Sequence, residues 1–126
     1  MKKVWVVDDD EEMIHAVQLM LKLIDCDSRA FLSPRPAAEA LLTGENPDLI
    51  VLDINMPEVS GIDFLEFLRR RAEWKDLPVI MLSTEASDVM VDKAMALGAD
   101  AYVTKPVSID ELEEAIQKAC MAHVKN

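Results

Sequence analysis

An α/β domain on a doubly wound, five-stranded parallel sheet is the fold class the sequence predicts, and three observations point to it. Five short apolar runs of strand length alternate with five longer segments of helical period. Several of those runs are apolar at nearly every position, as strands covered on both faces must be. Each strand is followed by a helix, which demands crossover connections of one hand and so a parallel sheet. With 126 residues, 51% of them hydrophobic, the chain supports one buried core and a single domain over residues 1–126, with no effector domain expected.

The elements follow in order. Residues 4–7 form the first strand, and residues 11–25 the first helix, with Ile14, Val17, Leu21 and Ile24 inward and His15, Gln18, Lys22 and Asp25 on a polar stripe. A second strand spans 29–32. Ser33-Pro34 then opens the second helix, as an N-cap with proline at the first helical position. The third strand is 49–52, and its helix starts after Ser60-Gly61, carries Phe64, Leu65 and Leu68 and ends in Arg69, Arg70 and Arg71. Those arginines are expected to serve the helix C-terminus. Residues 79–82 form the fourth strand, followed by a helix over 86–97 that stops at Gly98. The fifth strand is 101–103, and Ser108-Ile109-Asp110-Glu111 is a capping box ahead of Leu112 and Ile116.

Charge narrows the function. Thirteen Lys and Arg against 24 Asp and Glu give a net charge of -11. Phosphate backbones and anionic membranes repel such a surface, so neither nucleic acid nor membrane is an expected partner. The apolar run after Met1-Lys2-Lys3 is too short for a signal peptide or a membrane span. Cys26 and Cys120 read as free thiols, and a reducing, cytoplasmic location is expected. His15 and His123 are expected in solvated or cap-like roles, and the eight methionines as adaptable filler.

In a parallel α/β sheet, ligands bind beyond the carboxyl ends of the strands. There the chain places Asp8-Asp9-Asp10, Asp53, Ser83-Thr84 and Thr104-Lys105-Pro106. Each has an ordinary reading: Asp9 with Glu12 as a helix start, Asp53 as a cap of the following turn, Ser83 as a helix-entry hydroxyl, Lys105 as a solvated amine. Coincidence favours function, because four strand ends each deliver a group suited to a metal and phosphate site.

The runs Val6-Val7-Asp8-Asp9-Asp10, Leu52-Asp53-Ile54-Asn55-Met56-Pro57 with Gly61, Pro78 to Ser83, and Gly98 to Pro106 together resemble the receiver domains of two-component response regulators. The intervals between Asp9, Asp53, Ser83 and Lys105 are those of the single-domain chemotaxis regulators. The resemblance implies a flavodoxin-like sheet of order 2-1-3-4-5. It implies Asp53 as phosphoacceptor, taking a phosphoryl group from a phosphohistidine on a sensor histidine kinase or phosphotransfer protein. Mg²⁺ would be held by Asp9, Asp53 and the backbone carbonyl of Asn55, with Asp8 acting through water, since magnesium takes oxygen ligands and retains waters. Lys105 would pair with the phosphoryl group, and its bond to Pro106 would be cis. Ser83 would bond a phosphoryl oxygen, and Tyr102 would turn from solvent toward the core. The output surface would be the fourth helix, fifth strand and fifth helix, Val91 included, offered to a downstream protein or a second receiver.

Two departures stand out. Thr84 occupies a place often filled by a smaller residue, and Val107 one where phenylalanine is frequent. Asn55 and Glu85 flank the path of a hydrolytic water by the same resemblance. Two other function classes are consistent with parts of the pattern. An aspartyl-phosphate hydrolase would need a second aspartate where Asn55 stands, and a pseudo-receiver would have lost some of the acids, hydroxyl and lysine that this chain retains.

Overall fold

In the computed structural model, which describes residues 2–123, strands and helices alternate throughout. The order is β1 (Lys2–Val7), α1 (Glu11–Leu23), β2 (Cys26–Phe31), α2 (Pro34–Leu42), β3 (Leu49–Asp53), α3 (Gly61–Arg69), β4 (Val79–Ser83), α4 (Asp88–Ala96), β5 (Ala101–Thr104) and α5 (Ile109–Met121). All pairings are parallel, and the sheet runs β2-β1-β3-β4-β5, the flavodoxin-like order expected. Strand order reverses at β1, so the crevice between the ends of β1 and β3 is the natural site.

Alternation of side chains along each strand divides the interior in two. Trp5, Val7, Ile50, Leu52, Val79 and Met81 face the layer of α2, α3 and α4, where they meet Ala37, Leu41, Leu65, Leu68 and Ala94. Val4, Val6, Leu49, Val51, Ile80 and Leu82 face α1 and α5, where they meet Val17, Leu21, Leu112 and Ile116. Burial of each such Leu or Ile contributes about 2 kcal/mol. Together they hold the strand ends in register.

Local chemistry sets the boundaries. Asp10 caps α1 by accepting from the backbone N–H groups of Glu12 and Met13. Ser60 with Asp63 and Ser108 with Glu111 close complete capping boxes on α3 and α5. Ser33 occupies the N-cap of α2 but makes no side-chain cap bond. Pro36 stands at the third helical position and has no N–H to offer.

Several expectations are corrected. β2 begins at Cys26 rather than 29 and ends at Phe31, leaving Leu32 exposed. As an edge strand it carries the polar residues Asp27, Ser28 and Arg29 open to solvent, so their strand state comes from pairing with β1. α4 begins at Asp88, because Ser87 accepts from the Met90 N–H as its cap and leaves Ala86 in the preceding loop. The three arginines divide their tasks. Arg70 pairs with Glu66 on the surface, Arg71 lies over the rings of Phe67 and Trp74, and Arg69 turns inward to a network described below. His123 is partly buried, its Nε2 at 2.8 Å from an Asp100 carboxylate oxygen, instead of solvated.

Candidate functional site

Asp8 follows the last residue of β1, Asp53 and Ser83 end β3 and β4, and Lys105 follows β5. The sheet therefore brings to one edge the groups the sequence placed at four separate strand ends. Asp8 is 1%, Asp53 3% and Ser83 0% exposed, whereas Asp9 opens to solvent. Carboxylate oxygens of Asp8, Asp9 and Asp53 lie within 4.8 Å of one another.

Asp8 is held by its backbone, whose N–H donates to the Phe31 carbonyl at 3.0 Å, and by its side chain, which accepts from the Asp10 N–H at 3.0 Å. The Lys105 ammonium reaches across the crevice to Asp8 Oδ2 and Asp53 Oδ1, at 3.2 Å each. Its backbone N–H donates to the Ser83 carbonyl at 2.8 Å, which fixes it beside β4. The Lys105-Pro106 peptide is cis.

Gly61 determines how closely α3 approaches the end of β3. A Cβ there would stand 2.1 Å from the Asp53 carbonyl oxygen, and the Gly61 N–H donates to the Ile54 carbonyl at 2.8 Å. No side chain fits without moving Asp53. Asn55 lies exposed two residues beyond Asp53. Thr84 is exposed and Val107 is buried among the residues under α1 and α5.

The electrostatics follow from this crowding. Burial and the neighbouring Asp8 charge push the Asp53 carboxyl up to about 6, against the lowering pull of Lys105. Burial alone would lower the Lys105 ammonium, but the carboxylates of Asp53 and Asp8 outweigh it and raise the net value. One lysine thus contacts two of three clustered acids. A divalent cation matches the remaining negative charge, and an all-oxygen donor set with one solvent-open acid suits magnesium, so the residues fit that ion.

Ser83 Oγ accepts from the Glu85 N–H at 3.0 Å, and the Glu85 carbonyl accepts from the Tyr102 hydroxyl at 2.7 Å. Tyr102 is already half-buried against the core under α4, rather than turned out to solvent. The Glu85 link was missed in the sequence, because backbone atoms on a loop make it.

At the opposite edge, Arg69 spends its donors on the Gly98, Trp74 and Leu77 carbonyls and on Asp100, at 2.7 to 3.1 Å. Asp100 also accepts from the Val79 N–H at 2.9 Å. An inward arginine after Leu68 and an aspartate two residues past Gly98 were the available signal, but the carbonyl partners leave none.

Comparison with known proteins agrees with this geometry. The family described as response regulator receiver domain matches residues 4–117. The chemotaxis protein CheY of Pseudomonas aeruginosa is 33% identical over 116 residues, covering 92% of this chain and 94% of its own. The protein RcaC of Microchaete diplosiphon is 32% identical over 114 residues, 90% of this chain but only 17% of that much longer relative. The chemotaxis protein CheY4 of Vibrio cholerae superposes with a TM-score of 0.85 at 29% identity, over 94% of this chain and 98% of that one.

Proposed function

The chain belongs to the response regulator receiver domains of two-component signalling, and from that premise we propose that it accepts a phosphoryl group on Asp53 and passes the signal on through the face formed by α4, β5 and α5. The observation that carries the reading is the Lys105 ammonium bridging Asp8 and Asp53 above a cluster of three carboxylates.

The donor would be a phosphohistidine on a sensor histidine kinase or a phosphotransfer protein. Asp53 attacks phosphorus through a carboxylate oxygen, the phosphorus–nitrogen bond breaks, and the departing imidazole takes up a proton. Asp9, Asp53 and the Asn55 carbonyl, with Asp8 through a water, would hold a magnesium ion, which would supply positive charge to the phosphoryl oxygens. Lys105 exchanges its contact with Asp53 for one with the incoming oxygens, since it has three donors and no steric need to leave Asp8. The product exchanges the Asp53 carboxylate charge for a phosphoryl group bearing nearly two, a net gain of about one negative charge, and sets three acceptor oxygens beside Ser83.

A hydroxyl donates one hydrogen bond while accepting others. Ser83 therefore bonds a phosphoryl oxygen without releasing the Glu85 N–H. A movement of Ser83 carries Glu85 with it, and the Glu85 carbonyl carries the Tyr102 hydroxyl. This route joins the modified carboxylate to β5 and to the loop leading into α4. The output is contact with a downstream protein or a second receiver, and the domain acts as a signalling module rather than a dedicated enzyme. No helix among the described residues is long and apolar enough to cross a membrane. A cytoplasmic location and a receiver domain filling residues 1–126 belong to the same proposal.

Incubation with acetyl phosphate and Mg²⁺, followed by intact-mass spectrometry, tests the reading. One added phosphoryl group is expected on the wild type and none on Asp53→Asn. Equal labelling of the two proteins removes Asp53 as the acceptor.

A further inference from the structure

We propose that the open edge of β2 is a self-complementary surface on which a second copy of this chain docks antiparallel, joining the two sheets through their β2 strands. The contact is independent of phosphorylation and lies beyond the receiver function above.

β2 stands at the end of the sheet and pairs with β1 alone. Successive residues of a strand send their backbone groups to opposite sides. The Phe31 carbonyl accepts from the Asp8 N–H, so Phe31, Arg29 and Asp27 aim theirs at β1. Cys26, Ser28 and Ala30 therefore each aim an N–H and a carbonyl outward, and among the described residues no backbone group takes them. Charged side chains commonly blunt such an edge against pairing. Here the charges alternate in sign. Asp27 and Arg29 share the face toward α2, where the Arg29 guanidinium stands 4.7 Å from the centre of the Phe31 ring. With a two-fold axis at Ser28, that residue meets its own copy and Cys26 meets Ala30 on either side, each pair exchanging N–H and carbonyl bonds. Asp27 then lies directly opposite Arg29 of the second copy, and Arg29 opposite its Asp27. A slide of two residues, the shortest that keeps outward groups facing each other, sets Asp27 against Asp27 or Arg29 against Arg29. Charge thus selects one register.

The surroundings of the edge agree with this occupant. Arg29 already bonds Glu45, yet its side chain is 50% exposed and a guanidinium has five donors, so a second carboxylate can be served. On the other face, Leu19 lines a groove of about 390 Å³ with Lys22, Cys26 and Ser28, and Leu23 follows it one turn later on the same row of α1. These two leucines are 61% and 67% exposed, on the side where the two α1 helices flank the axis. Between Lys22 and Arg29 two bases stand against two acids, so this stretch is neutral in a chain of net charge -11. The opposite edge of the sheet is not. There α5 carries Asp110, Glu111, Glu113 and Glu114 against Lys118, and Glu111 and Glu114 line the groove beside β5. Like charges oppose a second copy at β5, whereas the neutral, sign-alternating edge at β2 receives one.

Sedimentation equilibrium of the whole chain, with no phosphoryl donor present, tests the interface. The mass is expected to rise from one copy toward two as the concentration passes from about 1 µM to about 1 mM. Asp27→Arg sets like charges at both contacts, and Arg29→Asp does the same. Each alone is expected to weaken association by about tenfold or more. Mixed in equal amounts, these two variants again present opposite charges to each other, and the mixture is expected to recover the wild-type affinity to within about threefold. Ser28→Pro removes an outward N–H that β1 does not use, and it is expected to abolish association; it decides the matter should a charge variant fail to fold by circular dichroism. A wild type that stays a single copy throughout overturns the interface. So do folded variants that associate as the wild type does, or a mixture no tighter than its components. Association that appears only with beryllofluoride and Mg²⁺ and survives Ser28→Pro places the contact on another face and overturns it as well.

Discussion

The two edges of the sheet use the same kinds of groups to opposite effect. At the carboxyl edge, Asp8, Asp9 and Asp53 cluster together and a single lysine bridges two of them, leaving negative charge in excess. At the amino edge, one arginine meets one aspartate, and its remaining donors end on three backbone carbonyls. Among the described residues, no buried side-chain nitrogen or oxygen lacks a partner. The contrast is therefore in charge balance, not in hydrogen bonding. A balanced network has nothing to gain from a ligand and holds the fold. An unbalanced one costs stability until a cation completes it, and that cost marks the site.

The largest effect expected from breaking this contrast is at the balanced edge. Arg69→Met should lower the unfolding free energy by about 3 to 5 kcal/mol, because Asp100 loses its cation inside the protein. Urea unfolding measures it, and a loss under about 1 kcal/mol would mean that the amino edge is not what holds α3, β4 and β5 together.

At the other edge the sign reverses. Asp53 has a folded-state value raised to about 6, so the folded protein binds this proton more tightly than the unfolded chain. Its contribution is favourable at low pH and is lost as the pH rises from the ordinary aspartate range through about 6. Asp53→Asn removes the ionisable group. The metal-free variant should match the wild type near pH 4 and exceed it by about 2 to 3 kcal/mol above pH 7. Stability curves at a series of pH values read this difference, and a gap that does not vary with pH would show that the crowding of acids is not its cause.

A smaller effect sharpens the same point. Mg²⁺ should raise the thermal midpoint of the wild type, by the equivalent of about 1.4 kcal/mol at tenfold excess over its dissociation constant. Asp9→Asn should reduce that gain while itself stabilising the metal-free protein slightly, as one of three like charges is removed. Thermal scans with Mg²⁺ and with a chelator give both quantities. An unchanged Mg²⁺ response in Asp9→Asn would remove Asp9 from the site.

Most of the carboxyl edge was legible in the sequence, because strand ends are marked by a change from apolar to polar residues and the four changes coincide in the fold. The capping boxes at Ser60 and Ser108 were legible for a related reason: the signal is local, and both partners are side chains near one another in sequence. Arg69 was not. Its acceptors are carbonyls of Trp74, Leu77 and Gly98, and every residue carries a carbonyl, so residue type gives no hint of which one will be used. His123 escaped in the same way, its partner Asp100 lying 23 residues earlier. The early part of β2 was hidden because pairing with β1, and not apolar content, makes it a strand.

Gly61 carries a consequence for anyone surveying this protein by substitution. It has no group that titrates, coordinates or donates from a side chain, yet the space it leaves empty is where the carbonyl of Asp53 resides. In a saturation screen scored by phosphoryl uptake, position 61 would cluster with the acids and the lysine. Sorted by chemistry alone, it would be filed as spacer. The information at that position is a volume, written into the chain by omission.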